Sequence, residues 1–223
     1  MWSHERKDRR GTLVKYDFPK YEIELELDDE VYFPAEDTFF LVDEIEISNN
    51  IEKIMEIGGG SGIISIVLAK RNPHIQFLIS DISFSATKAI KYNLQLNSIQ
   101  NQVDIVCMDK LEAVHYLDSE IIIWNPPYLP DNEESGNLSS LNRLMLVGGK
   151  RGYEETYEML DSLRKNNVNA SFYTIFSSLS WHEDNVQELK KDGVELEIMS
   201  ELSLFFEKLY LVKINFCERN DIL

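Results

Sequence analysis

From residue 51 onward, short apolar runs alternate with amphipathic stretches, and no other feature of the chain restricts its fold so strongly. Such alternation arises when βα units stack a mostly parallel sheet, because strands buried on both faces need near-continuous apolar or β-branched residues. Five runs, 51–57, 75–81, 103–109, 120–124 and 170–176, read as parallel core strands. Two more, 194–199 and 207–216, have no convincing helix between them, so an α/β sheet of about seven strands should end in an antiparallel pair. Helices fit 62–70, 83–96, 153–164 and 182–191, where apolar residues recur at helical spacing, as do Ala86, Ala89, Ile90 and Leu94.

The first 50 residues follow another rule. Val14, Tyr16 and Phe18 alternate with polar residues, Pro19-Lys20 reads as a turn, and Tyr21, Ile23, Leu25 and Leu27 alternate with acids. A hairpin with one apolar face is the expectation, within an N-terminal extension covering 1–30. Six carboxylates between Glu22 and Glu30 form either a solvated strand face or a docking surface for a basic partner. Ahead of them, Arg6, Lys7, Arg9 and Arg10 make a short basic tail, expected to be disordered.

Composition narrows the partners. With 43% apolar and 27% charged residues the chain is globular in character. Lys and Arg number 22 against 39 Asp and Glu, a net charge of -17 that repels a phosphate backbone and disfavours nucleic acid. Cys107 and Cys217 stand in or beside apolar runs without paired spacing and read as reduced core residues of a cytosolic protein. His4, His74, His115 and His182 are scattered, so no protein-bound metal is expected. No apolar run approaches the roughly 18 residues of a membrane span, and the polar start does not read as a signal peptide, so a soluble cytoplasmic chain is expected.

The chemistry-bearing segments lie where the strands end. Glu56-Ile57-Gly58-Gly59-Gly60-Ser61-Gly62 closes the first core strand and opens a helix; its glycines permit a sharp turn and close approach to a ligand. A dinucleotide fingerprint would need a third glycine where Ile63 stands, so the nicotinamide reading fails on spacing. An acid followed by Gly-x-Gly-x-Gly instead resembles the first motif of the class I methyltransferases, which use S-adenosylmethionine; the resemblance makes Glu56, Gly58, Gly60 and Gly62 cofactor-binding candidates. Asp81, nineteen residues after Gly62, ends the next strand, where a carboxylate can accept from both ribose hydroxyls or cap the helix that follows. Asp109 ends the third strand at a position that in class I methyltransferases contacts the adenine amino group, with Lys110 beside it; a helix cap is the alternative.

Trp124-Asn125-Pro126-Pro127-Tyr128 follows the fourth strand and specifies the reaction type. A buried Asn is costly unless its amide is used. An amide or amino nitrogen is a poor nucleophile because its lone pair is delocalised. The Asn125 side-chain oxygen and the Pro126 carbonyl can both accept from a target NH2, orient its lone pair and stabilise developing positive charge. Pro127 stiffens the loop and Tyr128 can stack on a flat target.

This loop resembles one shared by nucleic-acid amino methyltransferases and by the HemK-like enzymes that methylate a glutamine of peptide-chain release factors. The segment 31–39, Val-Tyr-Phe-Pro-Ala-Glu-Asp-Thr-Phe, resembles the signature of the archaeal and eukaryotic HemK-like branch, in which the threonine, here Thr38, contacts the cofactor. Gly148-Gly149-Lys150-Arg151-Gly152 resembles that branch's Gly-Gly-x-x-Gly segment. The resemblance covers about residues 31–216 and implies a class I methyltransferase, Rossmann-like, with a seven-stranded mostly parallel sheet and an antiparallel C-terminal strand, occupying 31–217. It implies methyl transfer to glutamine in the Gly-Gly-Gln loop of a release factor, and a small zinc-binding activator over an apolar edge; strand 103–108 would be such an edge. Phe33 stands where an acid is common and Gly59 where Ser is usual; the first bears on cofactor access or packing, and the second should be harmless. Residues 129–150, with Asp131, Glu133 and Glu134, form a long loop of the kind that serves as a lid or stays disordered. Alternatives are RNA or DNA amino methylation, with Lys150 and Arg151 in a local basic patch, lysine or small-molecule methylation, and a non-catalytic cofactor-binding scaffold.

Overall fold

The computed structural model describes residues 13–110, 118–132, 135–181 and 194–216, together with Gln187. The basic tail, Glu133, Glu134, Cys217 and the helix expected at 182–191 lie outside the described residues, Gln187 excepted.

Seven strands form one sheet: β3 (Lys53–Ile57), β4 (Gln76–Asp81), β5 (Val103–Cys107), β6 (Ile121–Trp124), β7 (Ser171–Ser177), β8 (Val194–Ser203) and β9 (Lys208–Phe216). Their order is β5-β4-β3-β6-β7-β9-β8; β9 pairs antiparallel with both β7 and β8, and the rest pair in parallel. The expected class I sheet with one antiparallel C-terminal strand is therefore present. Adjacent residues of one strand serve opposite cores, as the near-continuous apolar runs require. In β6, Ile121 and Ile123 join the cluster shared with Leu41, Ile66 and Ile90, while Ile122 and Trp124 join Met159, Leu160 and Leu163. The first cluster is built by α1 (Glu36–Glu44), α2 (Ile63–Arg71) and α3 (Phe84–Leu96), the second by α5 (Glu154–Lys165).

The N-terminal hairpin pairs β1 (Val14–Phe18) with β2 (Ile23–Leu27) in a separate two-stranded sheet. Its turn takes four residues, not two: Tyr21 and Glu22 donate back to Phe18 and Pro19, and Glu22 sits at φ 56. Phe18, Ile23, Leu25 and Leu27 enter the first core cluster. Side-chain amides of α3 satisfy part of the β2 edge: Asn97 accepts from Glu24 N (3.1 Å) and donates to its carbonyl (2.7 Å), and Asn93 accepts from Glu26 N (2.8 Å). The fully buried Asn93 also donates to the Ser61 carbonyl in the glycine loop (3.0 Å).

Phe33 packs its ring on Tyr16 of the hairpin, centroids 4.8 Å apart, and is absent from the cavity wall described below. Cys107 corrects the sequence expectation: it is exposed, not core. β5 is the sheet edge, only Val103 of the strand is fully buried, and the apolar run there marks an uncovered edge instead of an interior strand.

Candidate active site

The C-terminal ends of β3, β4, β5 and β6 open on one cavity of about 240 Å³. This is the ligand-binding side of open α/β sheets. Thr38, Glu56, Gly58, Gly60, Asp81, Asp109, Lys110, Asn125, Pro126, Pro127 and Tyr128 all line it. Gly62 lies behind the wall, as the N-cap of α2 at φ 81, packed on Ile90.

In the glycine loop, Gly58, Gly60 and Gly62 all have positive φ, the left-handed region in which a side chain is strained. Gly59 differs. A Cβ there would run into the buried side chains of Ile79 and Ile90, so in this chain the glycine is a packing requirement. Glu56, at the end of β3, is buried and faces the start of α2, where its Oε2 accepts from the Ser65 amide (2.9 Å) and from the Ser65 hydroxyl. Its Oε1 is buried and has no partner. Burial lifts the Glu56 carboxyl to a pKa of about 7; the Ser65 bonds oppose the rise and the charge of Asp81 adds to it.

Asp81 spans the loop and the next helix. Its two oxygens accept from Gly60 N and Ser83 N, both at 2.8 Å. Burial raises its pKa and those two backbone donors partly offset the rise. Asp109 is exposed at the rim, and Lys110, at φ 38, pairs with Glu155 of α5.

On the opposite side of β3 stands the Asn-Pro-Pro-Tyr loop, and a carboxylate that the sequence reading passed over. Asp37, buried in the first turn of α1, accepts from Asn125 Nδ2 (3.0 Å), the Tyr128 hydroxyl (3.4 Å), the Tyr32 hydroxyl (3.2 Å) and Thr38 N (2.7 Å). Only the NH2 end of an amide can donate to a carboxylate, so this contact fixes which way the Asn125 amide faces. The Asn125 Oδ1 is consequently left buried and without a hydrogen-bond partner. Tyr32 and Tyr128 are both pushed well above the ordinary tyrosine range, chiefly by burial and then by the Asp37 charge, and stay protonated donors. Asp37 lies within the 31–39 signature but carries no local mark of its own, because its role depends on a residue 88 positions away.

The Gly-Gly-x-x-Gly segment supports this loop from behind. A Cβ at Gly148 would collide with the Pro127 carbonyl, and one at Gly152 with the Tyr128 carbonyl, so both glycines allow two backbone stretches to touch. Residues 129–147 return on themselves: Leu129 N donates to the Leu146 carbonyl (2.9 Å), and Asp131 N to that of Gly149 (2.9 Å). Between them α4 (Ser140–Leu146) is capped by Ser139, held through Arg143 to Asp131 (2.8 Å), and contributes Leu141, Leu144 and Met145 to the cavity wall. Of the two expectations, lid or disorder, the described part of the segment shows order: a short capped helix that lines the cavity.

A protein of Methanocaldococcus jannaschii named as a protein N5-glutamine methyltransferase is 34% identical over 194 residues, 85% of this chain and 94% of its own length. This chain belongs to the protein glutamine methyltransferase family. The family model "Methyltransferase small domain" matches residues 36–146 of this methyltransferase, a span that holds α1, the glycine loop and the catalytic-loop candidate. The eRF1 methyltransferase catalytic subunit of Schizosaccharomyces pombe is 31% identical over 185 residues, 74% of this chain and 80% of that one. A release factor glutamine methyltransferase of Dictyoglomus turgidum, at 29% identity, is covered over 66% of its length. Among solved structures, the E. cuniculi Mtq2–Trm112 complex, described as responsible for methylation of eRF1, aligns over 84% of this chain and 99% of that one with a TM-score of 0.59 at 19% identity. The N-terminal domain of human METTL16 aligns at 0.65 and 12% identity. At those identities the two structures bear on the fold alone.

Proposed function

We propose that this methyltransferase transfers the methyl group of S-adenosylmethionine to the side-chain amide nitrogen of a glutamine in a translation release factor. The observation that carries the reading is the buried Oδ1 of Asn125, an acceptor held ready for an N–H that no described residue supplies. The name of the Methanocaldococcus jannaschii relative points to the same acceptor group, and that of the Schizosaccharomyces pombe relative to eRF1 as the methylated protein.

The cavity suits the cofactor. The glycine loop and the start of α2 give close backbone approach, Asp81 stands where ribose hydroxyls would donate, Asp109 and Lys110 would border the adenine, and Thr38 and Glu56 would border the methionine portion, the unpaired Oε1 of Glu56 suiting an ammonium group. When bound, S-adenosylmethionine supplies an electrophilic methyl on positively charged sulfur. Asn125 Oδ1 accepts one N–H of the glutamine amide and the Pro126 carbonyl the other, which turns the nitrogen lone pair toward the methyl and stabilises the positive charge that nitrogen gains as the carbon–sulfur bond breaks. Asp37 is filled by donors from Tyr32, Thr38, Asn125 and Tyr128, so it acts as an anchor for the amide. The surplus proton leaves the methylated nitrogen for solvent, and no strong base is needed.

A small zinc-binding activator over the β5 edge belongs to the same proposal, supported by the uncovered edge with half-buried Ile105 and Val106 and exposed Cys107. Full activity of a lone monomer would refute that part. The net charge of -17 weighs against a nucleic-acid acceptor. Incubation with labelled cofactor and the cognate release factor tests the whole reading. Label should reach the glutamine of the Gly-Gly-Gln loop, and Asn125→Ala should abolish it while sparing cofactor binding; turnover by that variant, or label elsewhere, refutes the proposal.

A further inference from the structure

The tip of the β8–β9 hairpin carries Phe205 and Phe206, 92% and 85% exposed, their rings in edge contact with centroids 4.6 Å apart. Turn chemistry does not explain them: tight hairpin tips favour Gly, Asn or Asp, and neither phenylalanine adopts a positive φ. Nor is the tip loosely attached. Leu204 N donates to the Glu207 carbonyl (2.8 Å), Ser178 N to the Lys208 carbonyl (2.8 Å), Lys208 N to the Ser178 hydroxyl (2.9 Å), and Glu207 is bonded to the Ser177 hydroxyl. Two large apolar side chains are thus fixed in water at a defined place.

That place adjoins the acceptor end of the cavity. The sheet order puts β4 and β5 on one side of β3, with Asp81 and Asp109, and β6, β7 and β9 on the other, with Asn125 and Tyr128. Leu202 and Leu204 pack on the same core cluster as Tyr128, α1 with its Asp37 packs against both β8 and β9, and the charge of Glu207 reaches the Tyr128 hydroxyl. The tip therefore rises beside the loop that would receive the amide, at the end of the cavity away from the groups assigned to adenine and ribose.

We infer that Phe205 and Phe206 are a docking element for the acceptor protein, seating in an apolar depression beside its glutamine-bearing loop. This rests on the reading of the reaction given above. A macromolecular acceptor that lowers one side chain to Asn125 must cover the rim around it, and the exposed apolar groups on this side include Leu144 of α4, Leu179 after β7 and the two phenylalanines. Rigid, paired aromatics at a rim are what protein interfaces use as anchors. The β5 edge lies at the opposite end of the sheet, so an activator there and an acceptor here need not compete.

The test is steady-state methylation of the full-length release factor, at saturating S-adenosylmethionine, by wild type, the Phe205→Ser/Phe206→Ser variant and the Phe205→Leu/Phe206→Leu variant. Loss of an aromatic anchor pair should raise the KM for the factor about tenfold or more, with kcat within about twofold, and the leucine pair should restore most of the affinity. Cofactor binding and thermal melting should match wild type, because both side chains stand in solvent. An unchanged KM, or a fall in kcat at unchanged KM, overturns the inference. So does a light-scattering mass that drops on substitution, which would assign the tip to self-association. If wild type labels no glutamine either alone or with a zinc-binding activator subunit present, the reading of the reaction fails, and the inference falls with it before any variant is compared.

Discussion

Glu56 ties the stability of this protein to pH in a way that can be worked out in advance. Its carboxyl is fully buried, and burial lifts the pKa from 4.5 to about 7 against the pull of the Ser65 hydrogen bonds. In the unfolded chain the group returns to its ordinary value. Between those two values the folded chain therefore holds a proton that the unfolded chain has released, so this contribution to stability is fully present below about pH 4.5 and is lost as pH rises through 7. The gap of about 2.5 pH units, at about 1.4 kcal/mol each, corresponds to about 3.5 kcal/mol, a large share of the roughly 5–15 kcal/mol that holds a domain together. Urea unfolding of the protein without cofactor, from pH 5 to 8, measures it. Asp81 is also raised and titrates in the same sense, so the comparison that isolates Glu56 is with Glu56→Gln, which keeps an oxygen for Ser65 and cannot ionise. Wild type should lose about 2.5 kcal/mol more than the variant across that range. Parallel stability profiles would show that the carboxyl is not held protonated by burial.

Asp37→Asn removes the charge that orients the Asn125 amide; kcat should fall about 10- to 100-fold with cofactor affinity nearly unchanged, and equal losses in both, read from single turnover and calorimetry, would make Asp37 merely structural. Gly148→Ala should displace the Pro127 carbonyl and cost more in methyl transfer than in melting temperature, measured side by side. Gly59→Ser should destabilise by about 1–3 kcal/mol in urea through overpacking against Ile79, and Ile79→Val in the same chain should recover part of it.

The sheet was legible because each core strand announces itself: β3, β4, β6 and β7 fall within two residues of the apolar runs that predict them, and α2, α3 and α5 within one of their periodic stretches. What failed was short or non-local. α1 begins at Ala35, which offers no capping side chain, so the segment 36–44 reads as a signature with no visible helix. α4 has a good cap in Ser139 but spans only seven residues, too few to display a period. The apolar run of β5 gave the strand correctly and Cys107 incorrectly, since composition alone does not separate an edge strand from an interior one. Among site residues, those carried by loop spacing all reach the cavity wall except Gly62, whereas Asp37, whose importance lies in one contact to Asn125, has no local mark in the sequence.

The dependence of Asn125 on that carboxylate also sets an order of events. The four residues from Asn125 to Tyr128 are not a self-contained device, because the amide takes its direction from α1, built 88 positions earlier and brought back only when helix and sheet have packed. A chain with its glycine loop formed but α1 undocked could hold a ligand and still lack a directed acceptor. Methyl transfer is thereby reserved for the finished tertiary structure, and an incompletely folded copy is chemically silent.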